Sequence, residues 1–214
     1  MAYAAWRSLV RGVLAVAVLV AAGVSGQADE PGFEPLFDGK SLAGWKPNEN
    51  VQSWKVENGE IVCHGPRSHL FYVGPDEAHP AEFKDFHFKA DVMTKPASNS
   101  GIFFHTKFQP EGWPAIGYEM QVNQSHGDPV RTGSIYNVVK NFMPPAKDNE
   151  WYTQELVVKG KALAVLVNGK VLFEYVEPEG VAGTRKLSAG TFALQAHDPV
   201  SEVHYKNLRV KRLK

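Results

Sequence analysis

The rhythm of this chain limits its fold more than any single motif does. From about Phe33 to Lys214 it passes through about a dozen short runs in which apolar and polar residues alternate, broken by Gly, Pro and Asn-Gly every 8 to 12 residues. A side-chain period of two belongs to a strand with one buried face, and no stretch carries the longer period of a mature helix. This spacing predicts an all-β domain, a two-sheet antiparallel sandwich or jelly roll, running from about Phe33 to Lys214. No internal repeat, heptad or low-complexity tract competes with that reading.

The segments divide as follows. Trp54 to Glu57 and Glu60 to Cys63 flank Asn58-Gly59, and Ala162 to Val167 and Lys170 to Val176 flank Asn168-Gly169. Asn-Gly supplies the positive φ angles of a tight two-residue hairpin. Further strands are predicted at Leu70 to Val73, Phe86 to Met93, Gly133 to Val139, Trp151 to Gly160, Gly190 to His197 and Val203 to Val210, after a short first strand between Phe33 and Trp45. The two ends, Phe33-Leu36-Phe37 and Leu208-Val210, are expected to lie together, since the termini of a domain commonly do.

The middle of the chain is where chemistry concentrates. In Ser98 to Thr106, alternation puts Phe103 and His105 on one face and Ile102 and Phe104 on the other. In Gly117 to Asn123 it puts Glu119, Gln121 and Asn123 on one face, with Tyr118, Met120 and Val122 on the core side. A strand that gives a whole face to a carboxylate and two amides has either a wet exterior or the lining of a polar groove. The loops Phe108 to Ile116 and Gln124 to Gly133 fall at strand ends, where binding residues collect.

Ahead of the domain stands a different kind of sequence. Met1 to Arg11 holds two arginines and no acid, Gly12 to Val24 is an apolar run of 13 residues, and Gly26-Gln27-Ala28 places small residues where a signal peptidase reads. The run is short of the ~20 residues a membrane span requires, so residues 1–28 are predicted to be a cleaved signal peptide, with the mature protein secreted or periplasmic and not stably inserted in a membrane. Cys63 is the only cysteine, which excludes an intramolecular disulfide and a lipid attached just after the signal. The balance of 23 Lys+Arg against 23 Asp+Glu leaves no basic field to gather nucleic acid. Five Trp, seven Tyr and twelve Phe beside amides and carboxylates suit a sugar ligand.

Several short motifs then fall into order: Leu36-Phe37-Asp38-Gly39-Lys40-Ser41-Leu42 with Gly44-Trp45, Asn99-Ser100-Gly101-Ile102-Phe103-Phe104, Tyr118-Glu119 with Gln121-Val122, Thr132-Gly133 with Ile135-Tyr136, Asn149-Glu150-Trp151-Tyr152, Val167-Asn168-Gly169-Lys170, Leu194-Gln195-Ala196-His197, and Tyr205 to Lys211. In this order, over nearly the whole mature chain, they resemble the 3-keto-disaccharide hydrolase family. The chain departs from the usual family pattern at Asn123, where an acid is frequent, and at Ala196-His197-Asp198, where Asp-His-Gly is usual. The resemblance implies a concanavalin-like jelly roll, export, and cleavage of glycosides already oxidised at sugar carbon 3.

A ketone at C3 acidifies the hydrogen on C2, and the enolate formed by its removal can expel the aglycone oxygen from C1. The steps need a base near C2, donors for the enolate oxygen and a proton for the leaving oxygen; addition of water then makes the net reaction a hydrolysis. The catalytic candidates are Glu119, His105 and His197, and the substrate-binding candidates are Asn99, Trp113, Gln121, His126, Arg131, Tyr136 and Gln195. His64, His69, His79, His87 and His204 read as surface or structural, and Trp45, Trp54 and Trp151 as core. His105, Glu119, His126 and His197 could converge on a metal, but their spacing matches no recognised metal signature, so no cofactor is expected. The partner the resemblance implies is a small 3-keto-glycoside. Two alternatives remain. One is a non-catalytic lectin-like module using the same groove, and the other is ordinary glycoside hydrolysis, which requires two carboxylates set across the scissile bond.

Overall fold

The computed structural model describes residues 30–214 except 77 and 79, so the proposed signal peptide and His79 lie outside the described residues. Among the described residues, thirteen strands build two antiparallel sheets. The larger sheet combines β1 (Glu34–Pro35), β3 (Trp54–Glu57), β4 (Glu60–His64), β6 (Phe86–Thr94), β9 (Tyr152–Lys159), β10 (Ala162–Val167), β11 (Lys170–Val176) and β13 (Glu202–Arg212). The smaller has the order β2 (Trp45–Pro47), β5 (Ser68–Tyr72), β12 (Thr191–Ala196), β7 (Ser100–Thr106), β8 (Tyr118–Val122). No helix among the described residues is long and apolar enough to cross a membrane.

Alternation does the work expected of it. Phe86, Phe88, Ala90 and Val92 of β6 and Leu156 and Val158 of β9 face Ile102, Phe104, Met120 and Leu194 of the smaller sheet across one continuous core. Tyr118, Met120 and Val122 lie on the core side. Both Asn-Gly pairs carry two positive φ angles, 53° and 80° at Asn58-Gly59 and 50° and 72° at Asn168-Gly169, each closing a two-residue hairpin. The two ends of the domain meet: Glu34 pairs with Val210, and the Leu36 N–H donates to the Leu208 carbonyl at 2.8 Å.

Two expectations fail. Gly133 to Val139 forms no strand, because Gly133 at φ 85° and Asn137 at φ 63° bend it back on itself, leaving isolated bridges from Ile135 to Met120 and Val139. Trp151 is outside the core, half-buried beneath the Lys206 ammonium at 3.8 Å, whereas Trp45 and Trp54 are buried with their indole N–H groups on Leu36 O and Ser68 Oγ.

Candidate active site

The candidate functional face is the side of the smaller sheet turned away from the core. Register sets its floor: Ala193 of β12 pairs with Phe103 of β7, Phe103 with Glu119 of β8, Gly101 with Gln121, and Gln195 with His69 of β5. Between Gln195 and Gln121 the floor drops, because Gly101 has no side chain. A Cβ there would come within 2.4 Å of Glu119 Oε1. Through this gap Glu119 leans across β7, and Gln195 Nε2 donates to its Oε1 at 3.1 Å.

Glu119 is only 7% exposed. Burial pushes its pKa up to about 7, against the partial pull of the Arg185 charge and the Gln195 hydrogen bond. Beside it, Gln121 Nε2 donates to Asn99 Oδ1 at 2.7 Å. With both amide N–H groups facing protein acceptors, Gln121 Oε1 and Gln195 Oε1 are buried without a protein partner. Buried acceptors of this kind are costly unless something donates to them, and sugar hydroxyls are donors of the right reach.

Loops raise the walls of a cleft of about 290 Å³ lined by Asn99, Phe103, Trp113, Glu119, Gln121, Asp128, Tyr136, Asn137, Arg185, Gln195 and His197. Trp113 stands at the rim, 45% exposed. Its loop is held by Gln109, whose amide bonds Glu111 O, Trp113 O and the Ala115 N–H, and by Glu49, which accepts from the Gly112 N–H. The Arg67 guanidinium covers the indole at 5.5 Å, and His69 meets it edge-on at 5.3 Å. His69 itself is fully buried with no partner on either ring nitrogen, and burial drives its pKa down to about 3, so it is neutral.

Sequence reasoning placed most, not all, of these groups. Glu119, His197, Asn99, Gln121, Tyr136, Gln195 and Trp113 come together as expected. His105 does not: its backbone takes φ 53°, which breaks the alternation and swings the ring inward against Phe86. There Nε2 donates to Lys84 O at 2.9 Å and Nδ1 accepts the Ser188 N–H at 3.1 Å, a fully satisfied neutral imidazole whose pKa burial lowers. Arg131 is also off the cleft. Its Nη1 donates to Asn123 Oδ1, His126 O and Asp128 O, so it ties the loop between β8 and Tyr136. The cation at the cleft is Arg185, from a loop without periodic signal, and Asp128 and Asn137 were equally unmarked. His126 stands one layer back, its ring 5.6 Å from that of His197.

Among the described residues, His126, His197 and Asp198 are the one group whose ligand-type atoms, within 4.8 Å of one another, could share a metal ion. In each histidine it is Nδ1 that is engaged. His197 Nδ1 lies 2.7 Å from Asp198 Oδ2, and His126 Nδ1 accepts the Asp128 N–H at 3.0 Å.

Residues 32–211 match the sequence profile of the 3-keto-alpha-glucoside-1,2-lyase-like domain. A provisionally assigned glycosyl hydrolase of Parabacteroides distasonis superposes with a TM-score of 0.72 at 24% identity, over 90% of this chain and 99% of that one. A second from the same organism gives 0.62 at 20% identity, over 85% and 99%. The carbohydrate-binding module CBM66 of Bacillus subtilis gives 0.53 at 13%, over 79% and 96%. These likenesses show the two-sheet jelly-roll fold. No curated protein sequence matches the chain.

Proposed function

Because the chain belongs to the 3-keto-alpha-glucoside-1,2-lyase-like family, we propose that it is an exported enzyme cleaving the glycosidic bond of 3-keto-glycosides by elimination across C1 and C2, followed by hydration. The observation that carries this reading is Glu119, a buried carboxyl at the cleft floor with its pKa raised to about 7, sharing that cleft with His197. Binding alone has no use for two proton-exchanging groups around one sugar; elimination needs a base and an acid.

In this mechanism His197 takes the proton from C2. The electron pair moves into the enolate of the 3-ketone, whose oxygen is met by the Arg185 guanidinium and the Tyr136 hydroxyl, and the enolate expels the aglycone from C1 as Glu119 gives its proton to the leaving oxygen. Water then adds to C1 and passes a proton to the Glu119 carboxylate, while His197 returns its proton to C2. Both groups end in the state in which they began. Gln121 Oε1 and Gln195 Oε1 accept from sugar hydroxyls, and Trp113 covers a sugar face.

The test is a 3-keto-glucoside with a chromogenic leaving group, beside the unoxidised glucoside. Release from the 3-keto sugar alone supports the enzyme. Binding without release supports the lectin-like reading, and equal release from both sugars supports ordinary hydrolysis. Glu119→Gln keeps shape and hydrogen bonds while removing the proton, so kcat should fall about 10²-fold or more with KM little changed. Export has its own check, since mass spectrometry of the secreted form should find a chain starting at or near Asp29.

A further inference from the structure

Behind His197 lies a chain of hydrogen bonds whose direction can be worked out from fixed backbone donors. The Asp128 N–H points at His126 Nδ1 at 3.0 Å, so that nitrogen is an acceptor and the His126 proton is on Nε2. Asn99 Nδ2 approaches the same Nδ1 at 3.4 Å, consistent with its Oδ1 accepting from Gln121. His126 Nε2 then faces Asp198 Oδ2 at 3.9 Å, beyond hydrogen-bond reach, so the neutral ring only packs beside the carboxylate. Asp198 is held from its other sides: Oδ1 accepts the Val200 and Ser201 N–H groups at 2.9 Å each, and Oδ2 accepts the Ser201 hydroxyl at 2.9 Å. Ser201 Oγ is in turn oriented by the Asn99 N–H at 2.9 Å. Burial pushes Asp198 up, but the bonds from His197, Ser201 and Val200 outweigh it and keep the carboxyl below its ordinary value. Oδ2 can only accept, so the short contact at 2.7 Å puts the His197 proton on Nδ1.

From this network we infer that Asp198 is a positioning residue, which fixes His197 in the tautomer with a bare Nε2 and is itself held in place by Ser201 and the Val200 amide. The inference rests on the proposed elimination, in which His197 is the base. It also takes His126 out of substrate contact, leaving it packed edge-on against the His197 ring, and it gives a purpose to Asp198, which the sequence showed only as a departure from the usual family pattern. A carboxylate behind the imidazole orients the ring and stabilises the imidazolium that forms once the C2 proton has been taken. The same arrangement recurs wherever a histidine base needs one nitrogen held and the other free.

Two readouts decide it. Long-range ¹⁵N–¹H spectra of the full chain, with His197 assigned by its loss in His197→Gln, report the tautomer whether or not turnover occurs. The expected signature is a protonated Nδ1 and a bare Nε2, and a protonated Nε2 in the wild type overturns the inference. The second readout is kinetic. Asp198→Asn keeps Oδ1 for the Val200 and Ser201 amides, so the turn survives, but it faces His197 Nδ1 with a donor and reverses the tautomer. On a chromogenic 3-keto-glucoside kcat should drop about 10²-fold or more with KM within about threefold. The double variant with His197→Gln should be no slower than the slower single, because the two act as one unit. A normal kcat in Asp198→Asn, or wild-type activity lost to a chelator and restored by a divalent cation, overturns it. A wild type with the expected tautomer and no turnover on any 3-keto-glucoside would instead sink the elimination reading and leave the tautomer assignment standing.

Discussion

Glu119 links the stability of this protein to the chemistry proposed for it. Its carboxyl has an ordinary value of 4.5 and is pushed to about 7 in the fold, chiefly by burial. The folded state therefore binds the proton more tightly than the unfolded chain. Stability from this group is fully present below pH 4.5 and is lost as pH rises through 7, by roughly 3 kcal/mol for a shift of this size. Glu119→Gln removes the titration, so the variant should match the wild type in thermal melts near pH 4 and exceed it increasingly between pH 5 and 8. A difference independent of pH would contradict the raised value. His105 makes the opposite case. His105→Ala leaves Lys84 O and the Ser188 N–H without their partner and should cost about 3 kcal/mol, read in a denaturant melt, with KM unchanged because the ring never reaches the cleft. Sequence alternation correctly put Glu119 on the polar face, since nothing interrupts β8. It misplaced His105 because a single positive φ, invisible in the pattern, turns the strand there.

At the scale of elements, the cleft depends on what three adjacent strands leave out as much as on what they carry. Gly101 is the gap that lets Glu119 reach Gln195, and its φ is not positive, so its backbone tolerates a side chain. In Gly101→Ala the new methyl would occupy the space of the carboxylate. The expected result is a folded protein with kcat reduced about 10-fold or more, because a displacement near 1 Å is enough to spoil a reacting geometry. Unchanged kcat would show that Glu119 does not act from this position. The strands themselves were readable from period and Asn-Gly turns. The walls were not: Arg185, Asp128 and Asn137 come from loops whose course is set by contacts distant in sequence, such as the Arg185 donation to Pro114 O at 3.3 Å. Gly133 to Val139 reads as a strand by alternation, yet it curls because positive φ at two of its residues outweighs the period.

Over the whole molecule, one sheet carries the proposed site and the other backs it. The outer face of the larger sheet carries Phe33 under Lys89, Arg209 and Lys211, at 5.0, 5.8 and 6.0 Å, with Glu30 bridging Lys89 and Arg209 at 2.6 and 3.3 Å. This clasp joins the two ends of the domain on the side opposite the cleft. Phe33→Ala should lower the melting temperature, for a loss of about 1–3 kcal/mol, and leave kcat/KM unchanged. A fall in kcat/KM would mean that the sheets are coupled. The two-sheet architecture and the pairing of the ends could be anticipated because they follow from alternation and from the closure of a domain. The identity of the reaction rests on the site. Its most direct test is chromophore release from a 3-keto-glucoside carrying hydrogen or deuterium at C2, with the unoxidised glucoside as control. Elimination predicts slower release from the deuterated sugar and none from the unoxidised one; identical rates from the two labelled forms, together with equally fast release from the unoxidised glucoside, would contradict it.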